Sequence, residues 1–214
     1  MIDTFKHKGM RRRLITELGE KGIVQDEVLK AFDAIPRHFF LDLAFEQQAY
    51  SNMAFQIGAG QTISHPYTVA FQTQLLGLKK GMKVLEIGTG SGFQTCILCQ
   101  MGVKVVSIER QRELFLKAKQ IIHHFNFNPR LIFGDGYKGN ESFAPYDRIL
   151  ITCGAPFVPD ALLDQLKPGG VLVVPIGSLE KQEMYRITKG EDGSLTEETF
   201  GDFSFVPMLE NVNK

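Results

Sequence analysis

The stretch VLEIGTGSGFQT, Val84 to Thr95, decides the fold. A short apolar strand runs into a turn with glycines at 88, 90 and 92, and a helix follows at once. Strand, glycine turn and helix together open a nucleotide-type α/β unit. The pattern continues on the C-terminal side. KVLEI (83–87) reads as a strand and 91–101 as a helix; KVVSIE (104–109) is the next strand and 111–125 the next helix. RLIFGD (130–135) and YDRILIT (146–152) are further strands, followed by a helix from Pro159 to about Leu166 and the strand VLVVPI (171–176). Nearly continuous apolar strands alternating with helices predict a mostly parallel sheet covered on both faces.

The ends differ from this core. Leu14, Ile15 and Leu18 recur at helical spacing before Gly22, and Val28, Leu29, Phe32 and Ile35 carry a second stripe that stops at Pro36. The following segment, to His65-Pro66, shows no period and reads as a long irregular connection of the kind that often carries function. Ser64 is placed to cap a helix whose first turn holds Pro66, whose apolar positions include Val69, Leu75 and Leu76, and which ends at Gly77. MYRIT (184–188) and FSFVPM (203–208) predict a C-terminal antiparallel hairpin. The expectation is one domain in three parts: a helical N-terminal extension with a covering loop (1–78), a core (79–177) and antiparallel strands (178–214).

The 214 residues balance 24 Lys+Arg against 24 Asp+Glu, with 43% hydrophobic and 22% charged residues. This is an ordinary globular composition. Zero formal charge does not favour nucleic acid, and Arg11-Arg12-Arg13 reads as a solvated helix face. No apolar run reaches the length of a signal peptide or of a membrane span. Three cysteines cannot all pair. A soluble, cytoplasmic monomer is expected.

The glycine turn limits the ligand. A dinucleotide fingerprint needs a third glycine where Phe93 stands, and the GxxxxGK[ST] phosphate loop is absent. A nucleotide-fold turn with no pyrophosphate signature points to an adenosine-bearing, phosphate-free ligand, S-adenosylmethionine. Glu109 closes the second core strand, where a carboxylate can accept bonds from both ribose hydroxyls. Asp135 in GDG is placed to meet the adenine edge, and Glu86 lies at the first strand's end near the turn. Each of the three acids could instead cap the helix that follows it.

These residues resemble those of the protein-L-isoaspartate (D-aspartate) O-methyltransferases. The similarity runs through GAGQTISHPYTVA, VLEIGTGSGFQT, VVSIER, FGDGYKG and APYDRILITCGAPFVPDALLDQLKPGGVLVVPIG, from GIVQDEVLKAFDAIPRHFF to FVPM. It implies a Rossmann-like class I S-adenosylmethionine-dependent methyltransferase fold. It also implies methyl transfer to the α-carboxylate of an isoaspartyl residue in aged peptides and proteins, an ester that closes to a succinimide and in part returns to aspartate. Carried over by motif, Ser64 in GQTIS is the active-site serine. Gln61, Thr62 and Ile63 line the junction of cofactor and substrate. Gly88, Thr89, Gly90, Ser91, Gly92, Glu109, Asp135 and Gly136, with Glu86 nearby, hold the cofactor. The sequence departs from the family pattern at Phe93 (usually Tyr), Ser204 (often Arg) and Ser51 (often Asp).

An acceptor carboxylate with an ordinary pKa of about 3.5–4 is already ionised at neutral pH, so no general base is required. No metal site is expected: Cys96 and Cys99 share a helix and only Cys153 lies elsewhere, short of the four ligands of a closed zinc site. His123 and His124 fall near a helix end, and His65 follows Ser64. Two other readings fit the same turn: a methyltransferase acting on a small molecule, and a non-catalytic adenosine-ligand sensor.

Overall fold

The computed structural model describes residues 1–213. Helices α1 (Phe5–Glu20) and α2 (Asp26–Ala34) form the N-terminal extension. Thr4 and His7 close a capping box at the start of α1, and Gly22 at φ +96° turns the chain out of it. Ile35 ends α2 in extended conformation, as a residue before proline must.

The segment expected to be irregular has structure of its own. Two short 3-10 turns, Arg37–Phe40 and Leu43–Gln48, lead into a hairpin of β1 (Phe55–Gly58) and β2 (Gln61–Ile63). Ala59 and Gly60 at its tip both have positive φ, the backbone a two-residue hairpin turn requires. Strands of three and four residues are too short to reveal a period, which is why the sequence hid them.

Helix α3 (Pro66–Leu75) enters the core. There β3 (Lys83–Ile87), α4 (Phe93–Gln100), β4 (Lys104–Glu109), α5 (Arg112–His124), β5 (Arg130–Phe133), β6 (Tyr146–Ile151), α6 (Asp160–Gln165) and β7 (Leu166–Gly177) alternate as expected. Strands β8 (Gln182–Lys189) and β9 (Leu195–Phe203) complete one seven-stranded sheet of order β5-β4-β3-β6-β7-β8-β9. The first five are parallel and the last two antiparallel. Period two sets the two faces: Val84, Val105, Leu150 and Val173 pack with α3 and α4, while Leu85, Ile87, Val106, Ile108, Ile149 and Ile151 pack on the opposite face with Leu162 and Leu166.

The chain runs outward from β3 through β4 to β5, then returns across β3 to begin β6. Strand order therefore reverses at β3, and the crevice beyond its carboxyl end is where ligands bind in open α/β sheets. The glycine turn leaves β3 at that point.

The C-terminal hairpin is present, but its second strand lies earlier than FSFVPM. That strand is LTEETFGDF, a polar edge whose side chains are mostly exposed, so no apolar alternation marks it. Pro207 cannot donate to a ladder. Residues 204–208 instead leave the sheet and bridge to Gly154.

Candidate active site

The turn holds its shape through fixed partners. Gly88 sits at φ +95°, and a Cβ there would lie 2.6 Å from Thr152 Oγ1. That hydroxyl donates to the carbonyls of Ile87 and Gly88 at 2.9 and 2.8 Å. Thr89 Oγ1 and Ser107 Oγ are hydrogen-bonded at 2.6 Å beneath the turn. Helix α4 begins at Phe93, two residues later than its sequence signal, because Ser91 and Gly92 belong to the turn, with Gly92 left-handed at the cap position.

Glu109 ties this turn to the next strand. Its Oε2 accepts from Gly90 N and its Oε1 from Gln111 N, both at 2.8 Å. The residue is 4% exposed. Burial pushes its carboxyl up, while the amides of Gln111, Gly90 and Arg110 favour the charged form. Each oxygen keeps lone-pair capacity toward the cleft, so the capping and ligand-binding roles weighed from the sequence coexist in one side chain.

The cleft beyond β3 encloses about 870 Å³ up to and including its open mouth, ample for an adenosine-sized ligand. The structure brings Gln61, Thr62, Ile63, Ser64, Gly88, Thr89, Gly90, Ser91, Glu109 and Gly136 together on its walls. Three predicted residues stand behind them. Gly92 packs against Ile122 as α4 begins. Asp135 is set back from the lining, its Oδ1 accepting from Tyr137 N and its Oδ2 from Asn211 N, both at 3.0 Å. Glu86 is fully buried under the turn, with Oε2 accepting from Thr95 Oγ1 at 2.5 Å and Oε1 unpartnered.

Ser64 is not the helix cap the sequence suggested. Pro66 takes the first helical position, which makes His65 the cap residue, and neither the His65 nor the Ser64 side chain bonds the helix end. Ser64 lines the cleft next to the hairpin end instead.

Several lining residues were not expected: Val69, Gln72, Gln94, Ile108, Arg110 and the segment Val206–Leu209. The last group carried a misleading signal, since its apolar pattern read as a strand. It is a strap across the cleft. Gly154 N donates to Val206 O at 2.9 Å and Met208 N to Gly154 O at 2.7 Å. Arg110 Nε and Asn211 O meet at 2.9 Å, and Asn213 N donates to Arg110 O at 2.8 Å. Asp135 thus latches the strap through Asn211.

The departures from the family pattern fall on different surfaces. Phe93 is buried edge-on to Phe32 and Phe40, so its ring serves packing. Ser204 and Ser51 are exposed. Cys96 is buried; burial pushes its thiol up, and those of Cys99 and Cys153 up to about 12, so none is a reactive thiolate at neutral pH.

Burial likewise pushes Glu86 up to about 7 from 4.5, opposed by the neighbouring hydroxyls of Ser107 and Thr95 and reinforced by the Glu109 charge. The folded state therefore holds this proton more tightly than the unfolded chain. The stabilisation is complete below about pH 4.5 and is lost as pH rises through about 7. Glu86→Gln, which cannot ionise, should gain stability relative to wild type between pH 5 and pH 8, on the order of 2–3 kcal/mol. Denaturant midpoints at the two pH values check this; an equal difference at both would show that Glu86 does not titrate as described.

The sequence matches the protein-L-isoaspartate(D-aspartate) O-methyltransferase family over residues 9–213. It is 53% identical over 209 residues to the protein-L-isoaspartate O-methyltransferase of Cytophaga hutchinsonii, covering 98% of this chain and 95% of that one. It is also 53% identical to that of Flavobacterium psychrophilum over the full length of both. A solved structure named protein-L-isoaspartate O-methyltransferase superposes with a TM-score of 0.85 at 32% identity, covering 94% of this chain and 67% of that one. A Plasmodium falciparum structure named for the same enzyme, in complex with S-adenosyl-L-homocysteine, superposes at 0.82 with 25% identity, covering 96% of this chain and 99% of the other.

Proposed function

The chain belongs to the protein-L-isoaspartate(D-aspartate) O-methyltransferase family, and from that premise we propose how its own residues carry the reaction. It is an S-adenosylmethionine-dependent carboxyl methyltransferase that transfers the methyl group to the α-carboxylate of L-isoaspartyl residues in damaged proteins and peptides. Its fold is the Rossmann-like methyltransferase fold. One observation supports the assignment of roles: the cleft that holds the glycine turn and Glu109 also receives Gln61–Ser64 from the hairpin.

When bound, the cofactor supplies an electrophilic methyl on a sulfonium. The residues present fit it. Gly88 and Gly90 bring bare backbone to the cleft wall, and Glu109 offers lone pairs suited to a ribose. Gly136 and Met208 frame the wall where an adenine would lie. Asp135 acts there indirectly, by holding the strap.

The acceptor arrives ionised, so the protein need not remove a proton. Its task is to exclude water and hold oxygen, methyl and sulfur in line, with the reacting atoms about 3–3.5 Å apart. The strap and the β1–β2 hairpin flank the cleft and exclude water. Ser64 directs its hydroxyl at the carboxylate, leaving one oxygen for the methyl. The three sequence parts act as one domain: the extension (1–78) brings the acceptor wall, the core (79–177) the cofactor turn, and the remainder the strap. We take the enzyme to be a cytoplasmic monomer with no nucleic-acid partner; the zero net charge supports the last of these alone. No helix among the described residues is long and apolar enough to cross a membrane.

Ser64→Ala tests the role assigned to the hydroxyl. Because His65 and not Ser64 occupies the cap position, the variant should keep its stability to within about 0.5 kcal/mol. Its kcat/KM for an isoaspartyl peptide should fall roughly 10- to 100-fold, the loss of a bond worth about 1.4–3 kcal/mol. Affinity for S-adenosylhomocysteine should hardly change. Wild-type kcat/KM in the folded variant would remove Ser64 from the reaction.

A further inference from the structure

Arg37 is the largest fully buried side chain in the protein, 1% exposed. Its Nε donates to Ala49 O at 2.9 Å and its Nη2 to Met53 O at 3.0 Å. Its Nη1 is buried without a partner. No carboxylate pairs with it among the described residues; its guanidinium carbon lies 5.3 Å from the centroid of the Phe93 ring instead. Burial pulls its pKa down to about 9, which leaves it charged at neutral pH. A buried cation with no counter-ion is costly, and Arg11, the other buried arginine among the described residues, is paired with Asp3.

Its two hydrogen bonds lead to the acceptor side. The loop it pins, residues 49–53, carries Asn52, whose Oδ1 accepts from Tyr67 N at 2.9 Å in the first turn of α3. That turn immediately follows Ser64 and His65. On the other side, Phe93 is the first helical residue after the glycine turn and lines the cleft. Arg37 therefore fastens the wall that presents Ser64 to the element that presents the cofactor turn. Its charge is also felt at the rim: His65, which is exposed, is pushed below its ordinary range by partial burial and by Arg37.

We propose that Arg37 is a positioning residue for the acceptor, a buried cation that fixes the 49–53 loop and draws the substrate's α-carboxylate to the Ser64–His65 rim without touching it. The inference rests on the isoaspartyl reading above.

The test compares Arg37→Gln and Arg37→Lys with wild type, after circular dichroism shows each to be folded. Wild-type transfer to an isoaspartyl peptide establishes the underlying reading independently; its absence would be a failure of that reading and not of Arg37. Arg37→Gln should raise the peptide KM by roughly 10-fold or more with kcat within about threefold, and Arg37→Lys, which keeps the charge, should recover most of the loss. Affinity for S-adenosylhomocysteine should stay within about twofold in both. Equal KM values in Arg37→Gln and wild type, or equal impairment in Gln and Lys variants, would overturn the role of the charge. Should neither variant fold, the wild-type enzyme decides. With S-adenosylhomocysteine bound, adding the isoaspartyl peptide should raise the His65 titration midpoint, followed by NMR, by about 0.5 pH or more as the carboxylate arrives. An unmoved midpoint would place the carboxylate elsewhere and overturn the proposal.

Discussion

Replacing Glu109 by alanine is expected to raise the Kd for S-adenosylhomocysteine by roughly 100-fold or more. Two charge-assisted bonds to a ribose contribute about 1.5–3 kcal/mol each when fully lost. A second loss adds to them. The same carboxylate accepts from Gly90 N and Gln111 N, so its removal leaves two amides of the binding turn unheld. Glu109→Gln keeps the shape but turns an NH2 group toward one of those amides, donor against donor, and should weaken binding at least about tenfold. Wild-type affinity from a low-micromolar starting point, about −8 kcal/mol, is readily measured by calorimetry. Unchanged affinity in Glu109→Ala would exclude Glu109 from the cofactor site. A nicotinamide dinucleotide should bind far more weakly than S-adenosylhomocysteine, because Phe93 replaces the third fingerprint glycine and packs into the core.

Gly88→Ala should be the most damaging single methyl in the site. The added Cβ meets Thr152 Oγ1 at 2.6 Å, and φ +95° is unfavourable for any L side chain. The conformational part costs about 1–2 kcal/mol, and the clash must move a hydroxyl that donates to both Ile87 O and Gly88 O. A stability loss of about 2–4 kcal/mol and a cofactor affinity lower by at least about tenfold are expected. Combining it with Thr152→Ala separates the causes. The double variant should recover the steric part and keep the backbone part, giving a coupling of about 1 kcal/mol or more. Additive effects would show that Gly88 and Thr152 do not oppose one another.

The parallel core was readable because the apolar centres of β3, β4, β6 and β7 are buried on both faces and alternate with helices at regular spacing. The glycine turn was readable because steric demands at Gly88 restrict the residue choice. What escaped notice had weak or misleading local signals. Strands β1 and β2 are too short for a period, and β9 is a charged edge with no apolar face. FSFVPM has a strand-like composition, yet Pro207 and the bridge to Gly154 make it a strap. Asp135 sits where the pattern places a ligand-binding acid, but which partners its oxygens take depends on a segment more than 70 residues away, as its bond to Asn211 shows. Spacing alone reads Ser64 as a helix cap, because Pro66 suits the first turn; the helix takes His65 as its cap residue, and that one residue of offset leaves Ser64 on the cleft wall. Arg37 gave no sign at all, since nothing in IPRHFF distinguishes a buried arginine from a solvated one.

The most direct test is a methyl-transfer assay with labelled S-adenosylmethionine and two peptides that differ only in one linkage, isoaspartyl against aspartyl. Label should enter the isoaspartyl peptide as a base-labile ester, at a kcat/KM at least about 100-fold above that for the aspartyl peptide, since only the former presents an α-carboxylate at the reach set by Ser64. Equal labelling of the two peptides, or labelling of neither by enzyme shown to bind the cofactor, would contradict the account.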